Sequence, residues 1–78
     1  MATVRFFAQA RDAAGCANAS VDGDTVAAVL EEATARFGGR LAQVIEISAI
    51  WVNGEFATPD QPVGAADEVA VLPPVSGG

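Results

Sequence analysis

With 78 residues, ten acidic side chains against four basic ones and a formal net charge of −6, the chain is a poor match for nucleic acid or an anionic membrane and suits a basic protein surface. It has no histidine and one cysteine, which removes the commonest general base, an internal disulfide and a Cys/His metal cluster. At 51% hydrophobic it can pack a single small core, and it is too short for a second.

Residues 3–9 are dense in β-branched and aromatic side chains and predict a first strand. The two-residue period sets Val4, Phe6 and Ala8 on the core face and Thr3, Arg5, Phe7 and Gln9 on the other. Phe7 thus stands among polar neighbours. Residues 11–15 are a short connector, at most a turn of helix, closed by Gly15. Residues 16–21 are expected to pair back on the first strand, with Cys16 structural because no neighbour in sequence activates it. Asp22-Gly23-Asp24-Thr25 is a turn into a helix capped by Asp24 or Thr25. Asp22 and Asp24 lack the further ligands a metal loop needs. Val26, Val29, Leu30, Ala33 and Phe37 then recur as one apolar stripe, the core face of an amphipathic helix. Gly38-Gly39 ends it, and residues 40–46 add a short helical turn.

Residues 47–53 predict the next strand, with Ile50 and Val52 of one parity and Ala49 and Trp51 of the other. Asn53-Gly54 is a type I′ hairpin signal, so residues 55–57 return as a short strand; the parity of Phe56 stays open. Turns follow at Thr58-Pro59-Asp60 and Gln61-Pro62, residues 63–66 are a loop, and residues 67–72 are the last strand. In it Val69 and Val71 face the core while Glu68, Ala70 and Leu72 face away. The expected fold is α+β: a mixed sheet of about five strands with one main helix on one face.

Pro73 and Pro74 stop the last strand, since neither can donate to a ladder. The domain is therefore residues 1–72, and residues 73–78 form a flexible tail ending in Gly77-Gly78. Six extended residues reach roughly 20 Å, enough to carry a terminal carboxylate into another protein's pocket. Without side chains at Gly77 and Gly78, an enzyme can close around the backbone. No phosphate loop, Cys/His cluster or Ser/His/Asp set is present, so self-sufficient catalysis is not expected. If the first and last strands are neighbours, Phe7 and Leu72 form an uncovered apolar patch at the tail's exit, the mark of a protein contact.

Four stretches carry a family resemblance: the opening Val4-Arg5-Phe6-Phe7-Ala8-Gln9-Ala10-Arg11, Asp24-Thr25-Val26, Val52-Asn53-Gly54, and the ending from Asp67-Glu68-Val69-Ala70 through Pro73-Pro74-Val75-Ser76-Gly77-Gly78. Together they resemble the small subunit of molybdopterin synthase, the MoaD type of ubiquitin-like sulfur carrier protein. The likeness covers essentially the whole chain and is most specific at the ending. It implies a ubiquitin-like β-grasp and a non-catalytic subunit of a synthase, expected in a heterotetramer with a large subunit that supplies the catalytic groups. It also implies an adenylyltransferase of the ubiquitin-activating type, which consumes ATP to adenylate Gly78. A sulfur donor such as a cysteine desulfurase or rhodanese then leaves a thiocarboxylate there. The large subunit places that sulfur on a cyclic pyranopterin phosphate to build molybdopterin. By the same resemblance Gly78 bears the sulfur and Gly77 lets it thread, while Phe7, Phe56, Leu72, Pro73, Pro74, Val75 and Ser76 meet the partners. No metal site, no stably bound cofactor and a cytoplasmic location are expected. Carriers for thiamin thiazole or cysteine biosynthesis share the fold and the Gly-Gly ending, and a protein modifier conjugating through Gly78 is a further alternative. The absence of lysine leaves basic contacts to four arginines.

Overall fold

The computed structural model describes residues 1–74. Strand β1, Ala2–Phe6, buries Ala2, Val4 and Phe6 and turns Thr3 and Arg5 the other way. It stops short of the expected residue 9. The Phe7 N–H still donates to the Val71 carbonyl at 3.3 Å, but Ala8 takes φ 49° and leads the chain into helix α1, Gln9–Ala14. Ala8, expected in the core, is therefore exposed, and Ala10 of α1 fills the buried place. Gly15, at φ 78°, closes α1 in the left-handed conformation, its N–H donating to the Arg11 carbonyl at 2.8 Å. The expected connector is thus a complete short helix. Strand β2, Asn18–Val21, starts later than expected and pairs antiparallel with β1.

Helix α2, Val26–Phe37, is capped by Thr25, whose Oγ1 accepts from the Ala28 N–H at 3.2 Å. It buries Val26, Val29 and Ala33, with Leu30 and Phe37 packed at the core margin. The Phe37 ring meets Phe6 edge to face, centroids 5.5 Å apart. Gly38 ends α2 and helix α3, Gly39–Glu46, begins at once, burying Leu41 and Val44. The expected short turn is a full helix. Ile47 and Ser48, expected in the next strand, instead finish α3: Ser48 Oγ donates to the Val44 carbonyl at 2.6 Å. The main helix is α2, with α1 and α3 beside it on the same core.

Strand β3, Ala49–Val52, turns through Asn53 and Gly54 into the two-residue β4, Glu55–Phe56. Both turn residues have positive φ, 50° and 85°, as a type I′ turn requires. Strand β5, Glu68–Leu72, lies at the centre of the sheet, parallel to β1 and antiparallel to β3, giving the order β2-β1-β5-β3-β4. Val4, Phe6, Val52, Val69 and Val71 of the sheet close on Ala10, Val29, Ala33 and Leu41 of the helices in one apolar core. At the β2 edge Arg36 Nη1 donates to the Ser20 carbonyl at 2.9 Å, tying α2 to that strand.

Candidate functional site

All three helices close on one face of the sheet, so the other face is set by strand parity and register alone. Across it, Arg5 of β1 stands beside Ala70 of β5, Ala70 beside Trp51 of β3, and Trp51 beside Phe56 of β4. The next row pairs Leu72 with Ala49, and the Phe7 N–H bond to Val71 brings Phe7 alongside the end of β5. The expected neighbours β1 and β5 are indeed adjacent, and the parallel pairing brings Phe7 and Leu72 to the same end of the sheet. Phe7 is 37% exposed and Phe56 75%, the larger exposure on a full aromatic ring. Leu72, Ala70, Ala49 and Trp51 are half-buried. The result is an apolar band across four strands that no element among the described residues covers.

Register settles the parity of Phe56, placing it opposite Trp51 on the uncovered face. Their rings contact at a centroid distance of 4.5 Å with planes tilted by 40°. Trp51 is the residue that sequence reasoning passed over. Its parity was readable, but its place depended on β3 pairing with β5, which no local signal gives. Charge on this face is balanced. Arg5 Nη1 lies 3.8 Å from Glu68 Oε1, both side chains half-exposed, and the Arg5 guanidinium sits 5.4 Å from the Phe7 ring centroid. An exposed pair at that distance adds little stability.

The root of β5 is fastened by a polar clasp. Asn53 Nδ2 donates to Asp67 Oδ1 at 2.9 Å, and the Gly64 N–H donates to Asp67 Oδ2 at 2.8 Å. The Glu68 N–H in turn donates to Asn53 Oδ1 at 3.0 Å. The bond from Asn53, and then that from Gly64, hold the Asp67 carboxyl below its usual pKa. At the other end of β5, Pro73 is buried and Pro74 exposed. Val75, Ser76, Gly77 and Gly78 lie outside the described residues.

Elsewhere, a shallow groove of about 460 Å³ runs between α2 and α3, floored by Leu30, Ala35, Ala42 and Ile45 with Glu31 and Glu46 at its margin. Cys16 is half-buried at the core margin. Among the described residues no three His, Cys, Asp or Glu side chains converge as metal ligands, and no helix is long and apolar enough to cross a membrane.

A central parallel β1–β5 pair, an antiparallel strand on either flank of it and a long helix across one face define the ubiquitin-like β-grasp. Within that class, residues 4–78 match the ThiS family, and the chain belongs to it. It is similar to SAMP1 from Haloferax volcanii, 31% identical over 97% of each chain with a TM-score of 0.81. It is also similar to a chain of the protein–protein complex of subunits 1 and 2 of the molybdopterin-converting factor from Helicobacter pylori 26695. That match is 25% identical over 99% of this chain and 97% of that one, with a TM-score of 0.67. A chain of the BexX/CysO complex from Amycolatopsis orientalis shares the fold, at 22% identity, full coverage of both chains and a TM-score of 0.82. The fold is thus that of ThiS-family ubiquitin-like sulfur carriers, a group whose relatives here span a modifier protein, a molybdopterin-converting factor and a CysO complex.

Proposed function

We propose that the chain is a sulfur carrier, the small subunit of a molybdopterin synthase, bearing sulfur as a thiocarboxylate on Gly78. The observation that carries this reading is the uncovered apolar band from Phe56 to Phe7, which ends where β5 hands the chain to Pro73. Such a band seats a partner and so brings the segment that follows β5 to that partner's active site. The likeness to the Helicobacter pylori complex supports a two-subunit assembly.

The chemistry asks nothing of this chain beyond a reachable carboxylate. The Gly78 carboxylate attacks the α-phosphorus of ATP in an activating enzyme, pyrophosphate leaves, and a mixed anhydride with AMP forms. Sulfur at the sulfide level attacks the carbonyl carbon, the bond to AMP breaks, and a thiocarboxylate remains. In the large subunit that sulfur attacks a carbon of the pterin substrate and displaces an oxygen substituent from it. Water then attacks the thioester carbonyl carbon, the acyl carbon–sulfur bond breaks, the sulfur stays on the pterin, and the carboxylate returns. No step changes an oxidation state. The gain lies in delivering a soft nucleophile on a tether at high effective concentration.

The test is the intact mass of the protein after incubation with the adenylyltransferase, ATP and a sulfide source, followed by pterin conversion with the large subunit. The expected product is heavier at Gly78 by the difference between one sulfur and one oxygen, and deletion of Gly78 abolishes conversion. Sulfur transfer by the deletion variant would sink the reading. A second reading, a modifier conjugated through Gly78, is favoured by the 31% identity to SAMP1. It predicts an isopeptide adduct with another protein in place of the thiocarboxylate.

A further inference from the structure

The geometry points to a second docking site in the groove between α2 and α3, one that takes a basic amphipathic helix of another protein. The groove lies on the helix side of the sheet, away from the band that runs from Phe7 to Phe56, so the proposed tail chemistry neither uses it nor blocks it. Its volume of about 460 Å³ is within the range of clefts that hold a ligand. Its closed end is set by the sequence. Phe37 ends α2 and Gly39 begins α3, so Gly38 alone joins them. The Gly38 N–H donates to the Thr34 carbonyl at 2.8 Å, and the Gly38 carbonyl accepts from the Ala42 N–H at 3.4 Å, which fastens the joint to both helices. Ala35 and Ala42 line the walls within about one helical turn of that joint. Their methyl side chains leave space for an incoming one. Leu30 and Ile45 continue the apolar surface further out, and both also pack on the core, so the floor is fixed before anything binds.

Charge selects the occupant. Glu31 stands on the α2 wall and Glu46 on the α3 wall, each about two turns from the joint, and no basic side chain lines the groove. An apolar floor between two carboxylates accepts apolar side chains flanked by cations and repels phosphate-bearing surfaces, which sets aside nucleic acid and anionic lipid. A second copy of this chain is set aside by its own charge, since two molecules of net charge −6 would meet. The walls select the conformation. Both are helices whose interior backbone groups bond within the helix, so an extended segment finds no strand edge to pair with. A helix brings its own backbone bonds, and its ridge of side chains at i and i+4 lies between two others. The eight residues of α3, the shorter wall, match about two turns of such a helix, hence two apolar anchors with Lys or Arg beside them.

The probe is a synthetic amphipathic peptide of about four helical turns, with leucine at i and i+4 and lysine on either side of them. A twin carries glutamate in place of every lysine. Each is titrated into the full isotope-labelled chain, with amide shifts giving the site and the affinity. Shifts are expected along residues 30–46 and not along β3 to β5, and the glutamate twin is expected to move none. Glu31→Gln combined with Glu46→Gln is expected to weaken binding by about fivefold at low salt, the sum of two exposed ion pairs. Glu55→Gln combined with Asp60→Asn removes the same charge at exposed positions elsewhere and is expected to cost less than about twofold. Ala42→Leu fills the groove and is expected to weaken binding by about tenfold or more. If thermal melts show that Ala42→Leu unfolds the chain, Ala35→Leu, exposed on the facing wall, takes its place with the same expectation. Shifts confined to the sheet band, equal losses in the two charge variants, leucine variants that bind like wild type, or no shift with the lysine peptide each overturn the inference. So does a dimer of the chain that Ala42→Leu dissociates, which would seat a second copy in the groove. Binding to phosphatidylcholine–phosphatidylglycerol vesicles that Ala42→Leu abolishes would assign the groove to a membrane and overturn it as well.

Discussion

Asp67 joins three separate stretches of chain. One carboxylate oxygen takes the Asn53 amide and the other the Gly64 N–H, while its own carbonyl accepts from the Thr3 N–H at 3.1 Å. Bonds to the ionised form hold its pKa below the ordinary 3.8, the Asn53 bond contributing most. A carboxyl whose folded pKa is depressed adds stability that is present above the unfolded value and is lost as pH falls through the folded one. Wild type is therefore expected to melt higher than Asp67→Ala at neutral pH, with the gap closing below the ordinary value of 3.8 as the carboxyl protonates. Melting curves for both proteins from neutral pH down to about pH 2.5 check this. A gap that persists undiminished at the acid end would assign the loss to packing. The residue is a polar fastener at the start of the strand that leads to the tail.

Elements that rest on a single clear period were legible, and those that rest on context were not. The Val26-to-Phe37 stripe, the Asn53-Gly54 turn and the alternation of Glu68–Leu72 each fix their own geometry, and each stands where the spacing placed it. Helices α1 and α3 were read as a connector and a turn because α1 is six residues of mostly alanine and polar side chains, with no stripe long enough to count. In α3, Leu41, Val44 and Ile45 do keep helical spacing, but the β-branched Ile47 drew the expected strand boundary forward. Phe7 and Leu72 could be placed on the uncovered face from parity. Trp51 needed the β3–β5 register, a long-range fact.

The approach to α2 shows how tightly local and long-range geometry meet. Gly23 sits at φ 154°, and a Cβ there would lie 2.6 Å from the Val29 nitrogen and 2.9 Å from the Ala28 carbonyl carbon. Those are backbone atoms of the first turn of α2 and cannot swing aside. Gly23→Ala is expected to cost about 2 kcal/mol or more by forcing the turn off the helix. Denaturant unfolding reads the loss directly, and a variant within about 0.5 kcal/mol of wild type would show that the turn relaxes freely.

At the scale of the whole molecule, the two faces of one sheet do separate work. The helix side holds the apolar core, and the opposite side is left open with Arg5 and Glu68 offsetting each other. The net charge of −6 is thus a property of the whole chain, while the uncovered band is nearly neutral. Long-range charge steers encounter and is screened by salt, whereas short-range apolar contact governs how long a complex lasts. For a basic partner, raising ionic strength from about 0.05 M to about 0.5 M is expected to slow association by roughly tenfold and leave dissociation nearly unchanged. Phe7→Asp is expected to do the reverse at fixed salt, speeding dissociation with a smaller effect on association and little change in melting temperature, because Phe7 lies outside the buried core. Stopped-flow kinetics on both proteins separate the two rates. If salt speeds dissociation as strongly as it slows association, the contact is held by ion pairs, and the neutral apolar band is not the surface that binds.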